Sequence, residues 1–247
     1  MRSLLALLAA VVFLLVGIPL LGIEWVIGKI NPHARDISSL RLVQGVFKVM
    51  LFFSGVKLTV IGEENVPKDQ AVLYVLNHRS YYDVFIVYSR VPGLTGFIAK
   101  KEIGKLPLVP LWMKRLYCLL LDRSDIKQGM RTVLTAIDYC KKGISIAVCP
   151  EGTRGKAENE TEMLPFHDGT FKIASKSGVP VVPITLNNTS AILEDHMPWV
   201  RRTHVVVEYG KPVLISSLDK EEQKHPGEYF HALMTETLCR NQKLLNG

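Results

Sequence analysis

The stretch NHRSYYDVF, residues 77 to 85, holds a histidine and an aspartate five positions apart, His78 and Asp83. An imidazole that donates through one nitrogen to a carboxylate keeps its other nitrogen free as a general base, able to take hydrogen from an alcohol. On a helix, five residues turn the side chain through about 500° and leave the pair roughly 140° apart, so a bend must intervene. The preceding AVLYVL (71–76) is uniformly apolar and reads as a buried strand ending at Asn77. His78 then lies in the turn, Ser80 caps a new helix, and Asp83 faces back from its first turn. Ser80-x-x-Asp83 is also a capping box in its own right, with His78 a bystander, and these residues alone leave both readings open.

A second polar cluster, CPEGTRGK (149–156), follows the apolar run ISIAVC. Pro150 ends the strand, Gly152 and Gly155 let the backbone approach a ligand, and Arg154 offers a planar fork of donors suited to phosphate oxygens. Glu151 would repel a phosphate, so it fits better as an acceptor for glycerol hydroxyls or as a brace for Arg154. Arg123 in LDRSD (121–125) and Lys100 and Lys101 in GFIAKKE (96–102) put further cations at strand ends, where α/β sheets bind ligands.

The elements that must carry these groups alternate. Strands are expected at 56–61, 71–76, 96–99, 116–121, 144–149, 179–186 and 204–209, several too apolar to have a wet face. Helices are expected at 125–142, capped by Ser124 or Asp125, at 168–176 before Gly178, and from Leu218 to Leu245 with a break near Pro226. The pattern predicts an α/β fold, with a central, mostly parallel sheet flanked by helices. In front of it stands a membrane-embedded segment of two helices. Residues 3 to 23 carry no charged side chain and as a helix would cover roughly 32 Å, the thickness of a bilayer's apolar core. Ala9 and Ala10 fall in mid-run instead of at a cleavage site, so the segment reads as an uncleaved anchor, with Pro19 able to kink it. Residues 40 to 56 set Arg41, Gln44 and Lys48 on one stripe, as in a helix lying in the membrane interface with Phe47, Met50, Leu51, Phe52 and Phe53 inward. The division expected is residues 1–55 as anchoring helices and 56–247 as the α/β domain.

A net charge of +7 favours anionic lipid or an acidic substrate. No basic run interleaved with aromatics appears, which argues against nucleic acid. The four cysteines are scattered without CxxC spacing, as suits reduced thiols facing the cytosol. No His/Asp/Glu set has ligand spacing, so no metal is expected. A serine nucleophile at Ser145 would sit inside a strand and not on the sharp turn such chemistry needs; Ser80 and Cys149 are the other nucleophiles weighed and set aside. A non-enzymatic membrane-binding protein would explain the leader and the charge, but not three polar clusters at strand ends.

Taken together, NHRSYYD, LLLDR, PEGTRG and VPVVPI resemble, in order, the four sequence blocks of the glycerolipid acyltransferases of the lysophosphatidate acyltransferase type. The resemblance runs from about residue 56 to 210. It implies that His78 is the catalytic base and Asp83 its partner, and that Arg123, Glu151, Gly152, Thr153 and Arg154 hold the acceptor's glycerol phosphate. Lys100 is a further candidate for substrate binding. The family's FK after the third block stands here as Phe166-His167, leaving His167, when protonated, or Lys172 as the local cation. The expected reaction is transfer of a fatty acyl group from a coenzyme A or acyl carrier protein thioester to the sn-2 hydroxyl of lysophosphatidate, or of another lysophospholipid. No cofactor is needed beyond that co-substrate. The expected partners are these substrates and membrane lipids, with the catalytic domain on the cytoplasmic side of the membrane.

Overall fold

The computed structural model describes residues 1–245, so the last two residues of the 56–247 unit lie outside it. Seven strands form one sheet: β1 (Lys57–Ile61), β2 (Leu73–Leu76), β3 (Thr95–Lys100), β4 (Leu119–Leu121), β5 (Ser145–Val148), β6 (Val181–Asn187) and β7 (His204–Tyr209). Their order is β1-β7-β6-β2-β5-β3-β4, and only the β6–β7 pair is antiparallel. The helices are α1 (Arg2–Ile30), α2 (Pro32–Ser54), α3 (Tyr82–Tyr88), α4 (Val109–Arg115), α5 (Ile126–Lys141), α6 (Lys172–Ser177), α7 (Lys220–Lys224) and α8 (Pro226–Gln242). This is the mostly parallel, helix-flanked α/β sheet read from the sequence, with the two apolar helices in front.

Side-chain alternation divides the core between the two sheet faces. Tyr74 and Leu76 of β2 pack with Leu40 and Val43 of α2, Ile86 of α3 and Trp112 of α4; Leu73 and Val75 pack with Ala136 of α5, Ile173 of α6 and Phe230 of α8. Every residue of β2 is buried, as its LYVL sequence requires of a strand paired on both sides. The carboxyl ends of β2, β5, β3 and β4 therefore open at one edge, where β3 ends on Lys100 and the other three are followed by His78, Glu151 and Arg123.

Two elements differ from the sequence expectation. The strand expected at 116–121 begins only at Leu119, because Tyr117 is left-handed (φ 58°) and the Cys118 N–H closes back onto the Met113 carbonyl, ending a short helix, α4, that the sequence did not announce. Gln44 of α2 does not lie on an outward polar stripe. It is buried, and its amide donates to the carbonyls of Tyr88 and Val91 just beyond α3, satisfying groups that α3 leaves open.

Both α1 and α2 are long and apolar enough to cross a membrane. They form an antiparallel hairpin in which the Asn31 side chain caps α2 by accepting from the Ala34 N–H at 3.0 Å and Pro32 takes the first helical position. The outer side of α1 exposes Leu4, Leu7, Leu8, Val11 and Leu15, while Phe13 meets Trp112 at 4.9 Å between ring centroids. Gly17 lets the helix approach that ring: a Cβ there would stand 2.9 Å from Trp112 Nε1. Gly17→Val is expected to lower stability by about 1–3 kcal/mol through overpacking, read as a fall in the thermal unfolding midpoint in detergent.

Candidate active site

The site begins where β2 runs out. Asn77 continues the ladder through its side chain, accepting from the Leu186 N–H at 2.8 Å and donating to the Leu186 carbonyl at 3.0 Å. Held in that way, the chain turns at His78, whose N–H donates to Glu151 Oε1 at 2.8 Å. Asp83, fully buried, then takes three donors on a single oxygen: His78 Nδ1, the Arg79 N–H and the Ser80 N–H, each at 2.8 Å from Oδ2. The Ser80 hydroxyl in turn accepts from the Tyr82 N–H at 3.0 Å. Helix cap and imidazole pair thus share one carboxylate. With Nδ1 held to Asp83, Nε2 is the ring nitrogen left to exchange a proton, and the His78 side chain is 21% exposed.

Burial works against the imidazolium, but the negative charge that Cys149 can carry and the hydrogen bond to Asp83 outweigh it, and the His78 pKa is pushed up to about 11. Cys149 belongs beside it: Val75 pairs with Val148 across β2 and β5, so the residues following both strands leave the sheet together. Burial also raises the Glu151 carboxyl above its ordinary value.

The loop after β5 divides its polar side chains among different partners. Both oxygens of Glu151 are engaged by backbone, Oε1 by His78 and Oε2 by the Leu164 N–H at 2.9 Å. It therefore ties the loops after β2 and β5 together, and the brace for Arg154 is instead Glu194, at 3.1 Å. Arg154 also lies over the Tyr81 ring, 4.0 Å from its centroid, while Glu194 Oε1 accepts from the Tyr81 N–H at 2.9 Å. Gly152 adopts φ 75°, and a Cβ there would lie 3.3 Å from His167 Nε2 and 3.9 Å from the Arg123 guanidinium carbon. Arg123, Gly152 and His167 thus converge, whereas Lys172 is exposed at the first turn of α6. Thr153 and Arg154 line a cavity of about 970 Å³ together with Arg79, Lys156 and Glu194.

Lys100 is the exposed last residue of β3, with the strand parity of Ile98, and pairs in register with Leu121 of β4, two residues before Arg123. Its neighbour Lys101 pairs with Asp122 at 2.6 Å. Sequence reasoning missed Asn77, Arg79, Tyr81 and Glu194 as site residues. The first three lie inside or next to the quoted NHRSYYD stretch, and an amide at the end of a fully buried strand was the available signal for Asn77. Nothing in the polar loop around Glu194 marks it.

Residues 57–187 match the family model described as Acyltransferase. The 1-acyl-sn-glycerol-3-phosphate acyltransferase of Saccharomyces cerevisiae is 30% identical over 213 residues, covering 86% of this chain and 68% of that protein. The protein of the same description from Cocos nucifera is 30% identical over 203 residues, 80% of this chain and 63% of its own length. The chain thus spans about two thirds of these relatives. The crystal structure of the 1-acyl-sn-glycerophosphate acyltransferase PlsC from Thermotoga maritima superposes with a TM-score of 0.81 at 23% identity, covering 97% of this chain and 95% of that one, which shows a shared fold.

The imidazole's raised pKa gives a signed expectation. Its protonated form contributes stability that is fully present below the ordinary value of 6.5 and is lost as pH rises through about 11. Titration of the His78 ring signals by NMR should show a midpoint above the ordinary value, and Cys149→Ala should lower that midpoint; an unmoved midpoint would remove Cys149 from the account.

Proposed function

The chain belongs to the acyltransferase family, and from that premise we propose that it transfers a fatty acyl group from an acyl thioester to the sn-2 hydroxyl of lysophosphatidate, giving phosphatidate. The observation that carries this reading is the triply bonded Asp83 oxygen, which aims one imidazole nitrogen at the carboxylate and leaves the other free of it, beside a cavity whose lining includes Arg79, Arg154 and Lys156 along with four carboxylates.

In the proposed reaction, His78 Nε2 takes the proton of the acceptor hydroxyl as its oxygen attacks the thioester carbonyl. The tetrahedral intermediate collapses by breaking the carbon–sulfur bond, and the departing thiolate receives the proton from the imidazolium. No acyl-enzyme is formed. A positioned base supplies ~10²–10⁴-fold in rate, and its upward-shifted pKa makes the rate climb with pH. Arg154, with Arg123 and His167 on the other side of Gly152, offers positive charge to the acceptor's phosphate. The thiol carrier is coenzyme A or acyl carrier protein. The proposed localisation is at a membrane, which the apolar hairpin supports, with the catalytic domain on the cytoplasmic face; there the acyl chains of both substrates stay in lipid.

The test supplies purified protein with an acyl thioester and a panel of lysolipids with and without a free phosphate, and follows thiol release. Release should depend on lysophosphatidate, and His78→Ala should abolish it while leaving the circular dichroism spectrum unchanged; normal turnover in that variant would reject the base. Arg154→Ala should raise the acceptor KM by about tenfold or more with a smaller change in kcat, because a phosphate clamp contributes mainly uniform binding.

A further inference from the structure

Arg79 follows the base directly in sequence, and its guanidinium is only partly used by the fold. Nη2 donates to the Ala157 carbonyl at 2.5 Å, while Nε and Nη1 are buried without a hydrogen-bond partner among the described residues. A guanidinium does not shed its proton to relieve such a position, so open buried donors call for an acceptor brought from outside.

The nearby carboxylates do not fill that role. Glu151 Oε2 stands close to Arg79, since a Cβ on Gly155 would lie 3.5 Å from the first and 3.7 Å from Arg79 Nη1, but both Glu151 oxygens already accept from backbone N–H groups. Around the cavity that Arg79 lines, Glu160 accepts from Asn187 and Asn188, Glu194 Oε1 from Arg154 and Tyr81, and Asp195 from Ser190; Glu158 also lines it and Glu194 Oε2 is buried without a partner, but among the described residues none of these carboxylates makes a hydrogen bond or ion pair with Arg79. Arg79 shares the cavity wall with Thr153, Arg154 and Lys156. On the acceptor, the sn-2 hydroxyl and the carbon bearing the phosphate are neighbours, so a cation that holds the phosphate must stand within a side chain's reach of the base. Arg79 occupies the adjacent residue.

We infer that Arg79 is a second anchor for the acceptor's phosphate, its open Nε and Nη1 donors and the Arg154 guanidinium gripping the same group. The inference rests on the acceptor being a phosphorylated lysolipid, as proposed above. It makes Arg79 a specificity-determining residue that favours acceptors with a phosphate next to the reacting carbon.

Steady-state kinetics on the full chain in mixed micelles test it. Arg79→Gln should raise the lysophosphatidate KM about 10- to 100-fold, the range for losing a charged hydrogen bond, with the thioester KM and the thermal midpoint unmoved. Should that variant fail to fold, Arg79→Lys keeps the charge without Nε–H and should raise the same KM at least about threefold. An acceptor KM equal to that of the unsubstituted chain, or a thioester KM that rises in step with it, would overturn the assignment and leave the proposed reaction standing. Absence of transfer to lysophosphatidate by the unsubstituted chain would overturn both.

Discussion

One carboxylate oxygen organises the edge of the sheet that carries His78. Asp83 Oδ2 collects the His78 ring N–H and the N–H groups of Arg79 and Ser80, so a single acceptor fixes the turn, the start of α3 and the orientation of the imidazole. Hydrogen bonds to an ionised acceptor are stronger than neutral ones, and a buried position without competing water strengthens them further. The geometry of the imidazole is for that reason a property of the backbone as much as of the side chain.

Around that oxygen the loops are cross-tied by carboxylates. Glu151 joins the loops after β2 and β5, and Glu194 joins the loop after β6 to Tyr81 and Arg154. Asn77 does the same with an amide, extending β2 toward β6 past the end of its own ladder. Three strand ends are thereby held as one rigid rim, while Arg79, Thr153 and Arg154 face the cavity beside it. Rigid support of this kind is what a site needs when reacting atoms must be held at near-contact distance.

The sequence exposes those parts of the molecule whose cause is local. Runs such as LYVL and SIAV have no wet face and read as central strands; Asp125 and Gly178 mark helix ends through capping and left-handed geometry. The shortness of β4 and the presence of α4 were hidden because Pro110 and two basic residues break the apolar pattern over seven residues, and because a left-handed tyrosine leaves no compositional trace. In the site, His78, Asp83, Arg123, Gly152 and Arg154 stood out because cations and polar groups at the ends of apolar strands are conspicuous. Lys100, the exposed last residue of β3, stood out for the same reason. The partnerships of Glu151 and Glu194 are matters of tertiary distance alone, and a carboxylate in a polar loop carries no sign of what it will meet.

The last residue of α2, Ser54, shares a 2.7 Å hydrogen bond with the Tyr82 hydroxyl, one residue before Asp83. Apolar hairpin and catalytic turn are thus mechanically one body. Were the hairpin seated in lipid, as proposed, this strut would help hold the imidazole at a set height above the acyl-chain region. Lifting a lipid tail into water would cost about 0.8 kcal/mol for every methylene exposed. In the proposed reaction, a base carried at a constant elevation would spare both substrates that ascent, and their encounter would reduce to sideways travel within a two-dimensional sheet.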